Sequence, residues 1–222
     1  MPIKQSQIFV EGEGDSYFQR NQNSMESTTD QYSIEKLIDS LSPFKSNIQQ
    51  ILEIGCSTGI KLHRLCEFFD ANGLGIDPSR KAIEAGNQEN KKEARENVRL
   101  QVGTADILPL EDQSMDLVFF GFCLYLLDRS DIFKAIAEAD RVLKPGGFIA
   151  ILDFDPNGRS KNHYSHKAGI YSYKNAYADF FTASGHYYLM SKHSMSHANT
   201  FFASDNYERV ALQILYKEHD AY

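Results

Sequence analysis

The 222-residue sequence lacks the marks of several protein classes. Its three cysteines, Cys56, Cys66 and Cys123, show no paired spacing, which argues against a disulfide framework and suits a reduced, cytoplasmic protein. The N-terminus carries no apolar leader, and the most apolar later stretch, Leu117 to Leu127, falls short of the about 20 residues that cross a bilayer, so no membrane partner is expected. No block of Lys and Arg stands out, and a net charge of −7 removes the broad attraction on which non-specific nucleic-acid binding relies. No nucleic-acid partner is expected. His163 and His166, like His193 and His197, have spacings a metal site could use, yet no Cys or carboxylate accompanies them at ligand spacing, and no metal is expected.

What is present is an alternation of short apolar runs with helical periods. Ile51-Leu52-Glu53-Ile54 reads as a buried parallel strand, and Gly55-Cys56-Ser57-Thr58-Gly59 as a small-residue turn that lets the backbone pass close to a ligand. Leu62, Leu65, Cys66 and Phe69 then recur at helical spacing, with Asn72-Gly73 as the stop. A second strand, Leu74-Gly75-Ile76, closes on Asp77-Pro78. An acid about 20 residues beyond a glycine turn can accept ribose hydroxyls in nucleotide-binding α/β folds, and the competing reading of Asp77 is an N-cap for a helix starting at Pro78. Val98 to Val102 forms a third strand followed by Gly103-Thr104-Ala105-Asp106-Ile107, where Asp106 taken alone is a turn residue. Leu117 to Phe120 forms a fourth, ending at Gly121-Phe122-Cys123-Leu124-Tyr125. Asp128 is placed to cap a helix with Ile132, Ala135, Ile136, Ala139, Val142 and Leu143 inward, which stops at Lys144-Pro145-Gly146-Gly147 before a fifth strand, Phe148 to Leu152. This is an α/β pattern, and one domain over residues 48–222 is expected.

Residues 1–47 precede it as a lid segment and a helix. Residues 11–21 read as a short loop and a turn of helix, either a loosely docked leader or a lid with Tyr17, Arg20 and Asn21 facing inward. Tyr32, Ile34, Leu37, Ile38 and Leu41 then mark the helix. Beyond Asp153 the chain is rich in Tyr and His, and Tyr187 to Met195 and Tyr207 to Lys217 have strand character.

Glu53, Gly55 and Gly59, the acids Asp77 and Asp106, and Arg141-Val142-Leu143-Lys144-Pro145-Gly146-Gly147 together resemble the class I S-adenosylmethionine-dependent methyltransferases over residues 48–155. Ser57 stands where a middle glycine often lies, and Met115 replaces a usual aromatic. The resemblance implies a Rossmann-like seven-stranded sheet, its last strand antiparallel, with helices on both faces. It implies S-adenosyl-L-methionine as cofactor, with Glu53 toward the methionine end and Gly55, Cys56, Ser57 and Gly59 beneath it. Asp77 and Pro78 would meet the ribose, Ala105, Asp106 and Ile107 the adenine, and Gly121 and Phe122 the methyl end.

The implied activity is methyl transfer to oxygen or nitrogen of a small molecule by a monomer or homodimer. The fourth strand lacks the Asp/Asn-Pro-Pro-Tyr/Phe and Pro-Cys signatures of nucleobase enzymes, which leaves a metabolite, with a saccharide or its precursor as one acceptor. Tyr17, Arg20, Tyr125, Tyr171 and Tyr173 are acceptor-side candidates, and His163, His166 and Tyr125 are candidates for catalysis. Two alternatives stay open: a non-catalytic protein that binds the same cofactor, and a nicotinamide-dependent oxidoreductase. The dinucleotide fingerprint places glycines at first, third and sixth positions, whereas Gly55 and Gly59 lie four apart behind Glu53.

Overall fold

The computed structural model of the chain describes residues 4–22 and 28–220. The N-terminal segment is helical almost throughout: α1 (Gln5–Ile8), a widened turn at Phe9–Glu13, and α2 (Gly14–Asn21). In place of the short loop expected within residues 11–21 there is a kink, made at Gly12, whose φ of 147° few other residues could adopt. Phe9 and Phe18 of this segment are buried. A third helix, α3 (Thr28–Leu41), buries Ile34, Leu37 and Leu41 as its periodicity predicts.

The parallel half then follows in order: β1 (Gln50–Ile54), α4 (Ile60–Phe69), β2 (Asn72–Asp77), α5 (Arg80–Lys92), β3 (Val98–Val102), β4 (Met115–Gly121), α6 (Arg129–Val142) and β5 (Leu143–Phe154). Every residue of β4 is buried, as a central strand covered by helices on both faces requires. Leu62, Leu65, Cys66 and Phe69 form the buried face of α4. Three boundaries differ from expectation. Asn72-Gly73 opens β2 rather than merely stopping α4, because Asp70, with φ 57°, already ends the helix. Ser79, not Asp77, caps α5, its hydroxyl accepting the Ala82 N–H at 3.1 Å. The β5 strand starts at Leu143, and the register shift between Met115 and Leu117 absorbs the extra residues of Lys144–Gly147.

After β5 come a two-stranded hairpin, β6 (Ser160–His163) with β7 (Tyr171–Lys174), a short helix α7 (Asp179–Thr182), and two long strands, β8 (Tyr187–Ser196) and β9 (Arg209–Lys217). The main sheet runs β3-β2-β1-β4-β5-β9-β8, with β9 antiparallel to both neighbours. This is the seven-stranded sheet with its last strand antiparallel. Among the described residues no helix is long and apolar enough to cross a membrane.

Candidate active site

In an open α/β sheet a ligand crevice forms where successive connections leave for opposite faces, here between β1 and β4. A cavity of about 340 Å³ lies at that place, lined by Gly55, Cys56, Ser57, Asp77, Pro78, Ala105, Gly121 and Phe122. Gly55 has φ +78°, and a Cβ there would come within 2.7 Å of Cys123, so only a bare backbone fits the turn. The Ser57 N–H donates to Asp77 Oδ2 at 2.9 Å and the Ser79 N–H to Oδ1 at 2.8 Å. These bonds orient the carboxylate and leave each oxygen a further lone pair, the geometry that two vicinal hydroxyls need. Burial raises the Asp77 carboxyl, and the two amides and Lys61 oppose it.

Behind Gly121 sits Glu53, fully buried, whose two oxygens complete no hydrogen bond. Burial pushes its carboxyl up to about 8 against the pull of the Lys61 ammonium. Lys61 Nζ lies 4.0 Å from Glu53 Oε1 and 3.6 Å from Asp30 Oδ1. Burial alone would lower the lysine, but Glu53 and Asp30 hold it above its ordinary value. Glu53 thus stands behind the cavity wall, beside the Lys61 ammonium that lines it.

Other expected positions are placed less centrally. Gly59, with φ +80°, starts α4 and packs on Leu100, where a Cβ would approach to 2.8 Å, so its part is to bring helix and strand together. Ala105 lines the cavity, while Asp106 and Ile107 lie in the adjoining turn and do not. Asp106 Oδ1 is buried without a partner, and Ile107 is 72 % exposed.

The N-terminal segment covers the crevice as a strap. Ser6, Phe9, Gly14, Tyr17 and Asn21 line the cavity. Gln5 anchors one end: its N–H donates to Asp128 Oδ2 at 2.5 Å, its Nε2 to the carbonyls of Leu126 at 2.9 Å and Tyr171 at 3.0 Å, and its Oε1 accepts the Tyr171 N–H at 2.6 Å. Asp128 is thus occupied by the strap, and it makes no side-chain cap on α6. Asp15 anchors the other end by accepting from Ser79 Oγ at 2.8 Å and the Lys81 N–H at 3.0 Å at the start of α5. Burial pushes the Asp15 carboxyl up, but these donors prevail and hold it below its usual value.

Several sequence candidates are not in the cavity. Arg20 turns to Glu13 Oε1 at 2.5 Å and Tyr164 Oη at 3.0 Å, which ties the strap to the hairpin region. Tyr171 and Tyr173 lie on β7 beneath the Lys161 ammonium, 3.7 and 5.7 Å from their ring centres. His163 and His166 are exposed and do not line the cavity. Tyr125 is buried behind the wall and meets Tyr17 through their hydroxyls. The imidazole that does line the cavity is His197, stacked on Phe154 at 5.5 Å and tilted on Phe122 at 5.6 Å. Its only local signal was a spacing with His193, which pointed to a metal. Among the described residues no three His, Cys, Asp or Glu side chains gather as a metal site. Lys61 gave no signal beyond its place two residues after Gly59.

Residues 51–147 match a family described as a methyltransferase domain. The chain is 38% identical over 104 residues to a demethylmenaquinone methyltransferase of Staphylococcus aureus, an alignment covering 46% of this chain and 42% of that one. It spans less than half the length of the curated relatives it matches. Among solved structures, a Burkholderia thailandensis 1,6-didemethyltoxoflavin-N1-methyltransferase with S-adenosylhomocysteine bound superposes with TM-score 0.71 at 12% identity, over 98% of this chain and 92% of that one. The MccD protein does so with TM-score 0.65 at 20% identity, over 84% and 96%. The domain match makes residues 51–147 similar to a methyltransferase domain, and the sheet order is that of the Rossmann-like fold these structures share. The S-adenosylmethionine that the sequence resemblance implies fits the residues present: Lys61 in the lining with Glu53 behind it, a Gly55 turn with no room for a side chain, and an Asp77 oriented by two amides.

Proposed function

We propose that this protein transfers a methyl group from S-adenosylmethionine to oxygen or nitrogen of a flat-ring small molecule. The observation that carries the acceptor class is the aromatic wall where Phe122 and His197 line the cavity, with Phe154 behind them. Such faces stack on a planar ring, and the sequence had named a saccharide as one acceptor. This reading is supported by two similar proteins whose names carry ring acceptors, demethylmenaquinone and 1,6-didemethyltoxoflavin.

In this reading Asp77 holds the ribose, Glu53 the ammonium of the methionine end, and Ala105, Asp106 and Ile107 the adenine. The bound cofactor supplies a methyl group already activated on a sulfonium. The chain aligns the acceptor, excludes water, and moves one proton. His197 is the group placed to take that proton from the acceptor, its ring held by Phe122 and Phe154. The strap over residues 4–22 closes the site, and Tyr17 faces the acceptor side from it. We place the enzyme in the cytoplasm as a monomer or homodimer, with neither nucleic acid nor membrane as partner.

Two measurements test this. Isothermal titration with S-adenosylmethionine and NADH should show binding of the first alone. Incubation with methyl-labelled cofactor and a panel of hydroxylated quinones, purine-like heterocycles and sugars should label ring compounds. Label found only in the sugars would refute the acceptor class.

A further inference from the structure

Lys61 is a buried cation that no part of the methyl-transfer reading yet uses. It lies on the first turn of α4, lines the cavity, and its side chain is only 16 % exposed. Its ammonium sits 4.0 Å from Glu53 Oε1 and 3.6 Å from Asp30 Oδ1, both beyond the 2.7–2.9 Å of a made charged hydrogen bond. Burying a lysine costs free energy, and two neighbouring carboxylates at such range recover only part of it. Glu53 is in the complementary position, with both oxygens buried and unbonded.

An ammonium on the cavity lining with a carboxyl group directly behind it, each incompletely bonded, forms a receptor for a zwitterion. The first turn of α4 adds its positive dipole end to the cationic side. We infer that Lys61 is the specificity residue for the α-carboxylate of the cofactor's methionine end, with Asp30 aiming the ammonium and Glu53 taking the adjacent α-amino group. This rests on the S-adenosylmethionine reading and adds to it a discrimination. The site distinguishes an adenosyl amino acid from an adenosyl amine.

The test is isothermal titration of the full chain with two probes, S-adenosylhomocysteine and its decarboxylated counterpart, S-adenosyl-3-thiopropylamine. The wild-type protein should prefer the first by about 10-fold or more, the usual worth of one charged hydrogen bond. Lys61→Met should abolish that preference by weakening the carboxylate-bearing ligand alone, and Lys61→Arg should restore part of it. Equal affinity of the wild-type protein for both probes overturns the inference without recourse to any variant. So does a Lys61→Met protein that keeps the preference or loses both ligands equally. If the wild-type protein binds neither probe, the cofactor reading itself fails and this inference falls with it. Binding of both probes with no discrimination leaves that reading intact and removes only Lys61.

Discussion

The hydroxyls of Tyr17 and Tyr125 lie 3.4 Å apart, joining the strap to the turn that follows β4. Burial raises both phenols, so neither ionises near neutral pH and each can serve as donor or acceptor for the other. Tyr17→Phe leaves the Tyr125 hydroxyl buried without this partner while keeping the ring that fills the cavity wall. A hydrogen bond of this kind contributes about 1 kcal/mol. S-adenosylhomocysteine should therefore dissociate about 3- to 10-fold faster from the variant, read by stopped-flow, with Tm within a few degrees of wild type.

The strap shows where sequence legibility ends. Glu53, Gly55 and Asp77 were readable because strand, turn and acid stand in one short stretch, and the periodicities of α4 and α6 named their own buried faces. Gln5 was not, since its partners Leu126 and Tyr171 are remote in the chain and no local pattern announces them. His163 and His197 looked equivalent as letters. The difference lies in which strand carries each: β6 stands away from the cavity, whereas His197 follows directly on β8 and packs against Phe122 and Phe154. Ser79 caps α5 because the helix starts at Arg80, two residues later than the Pro78 start read from sequence.

Gly14 tests the strap from its other anchor. A Cβ there would meet Phe9 O at 2.9 Å, Ser79 N at 3.1 Å and Pro78 C at 3.3 Å, all backbone atoms that cannot step aside. Within an isolated helix Gly14→Ala would stabilise by about 0.5–1 kcal/mol. Here it should instead lift the strap from α5. Amide exchange of residues 5–21 should accelerate while that of β1 and β4 is unchanged, and cofactor affinity should fall. Slower exchange in the variant would show that the contact yields.

Asp77→Asn keeps one carbonyl oxygen but replaces the other with a donor that faces a backbone N–H. One of the two amides, Ser57 or Ser79, then loses its acceptor, and so does the ribose in the proposed binding mode. Affinity for S-adenosylhomocysteine should drop about 10- to 100-fold, the range for hydrogen bonds to a charged group. Affinity unchanged within about 2-fold would exclude the ribose role.

Glu53 sets a pH dependence of fixed sign. Its carboxyl is raised from 4.5 to about 8 in the folded chain, so its contribution to stability is fully present below about 4.5 and is lost as pH rises through about 8. Asp153, raised to about 7 by burial, acts in the same direction. Glu53→Gln removes the first effect and leaves the second. The difference in Tm, variant minus wild type, should therefore grow more positive between about pH 5 and about pH 9, measured by scanning calorimetry without cofactor. A flat difference would mean that the carboxyl is not raised.

The two histidine placements give opposite results in one experiment. His163 and His166 are exposed and away from the cavity lining, so the His163→Ala, His166→Ala double variant should keep wild-type turnover on whichever acceptor the labelled screen identifies. His197 lines the cavity on the aromatic wall, and His197→Ala removes both the proton acceptor and one ring face. Loss of a general base costs about 10²- to 10⁴-fold in rate, whereas loss of a ring face alone costs about 10-fold and falls mainly on KM. His197→Phe separates the two, because it preserves the stacking surface and deletes only the imidazole nitrogens. If kcat falls alike in His197→Ala and His197→Phe, the proton transfer is assigned to His197. If His197→Phe is fully active, the residue serves only to hold the acceptor ring.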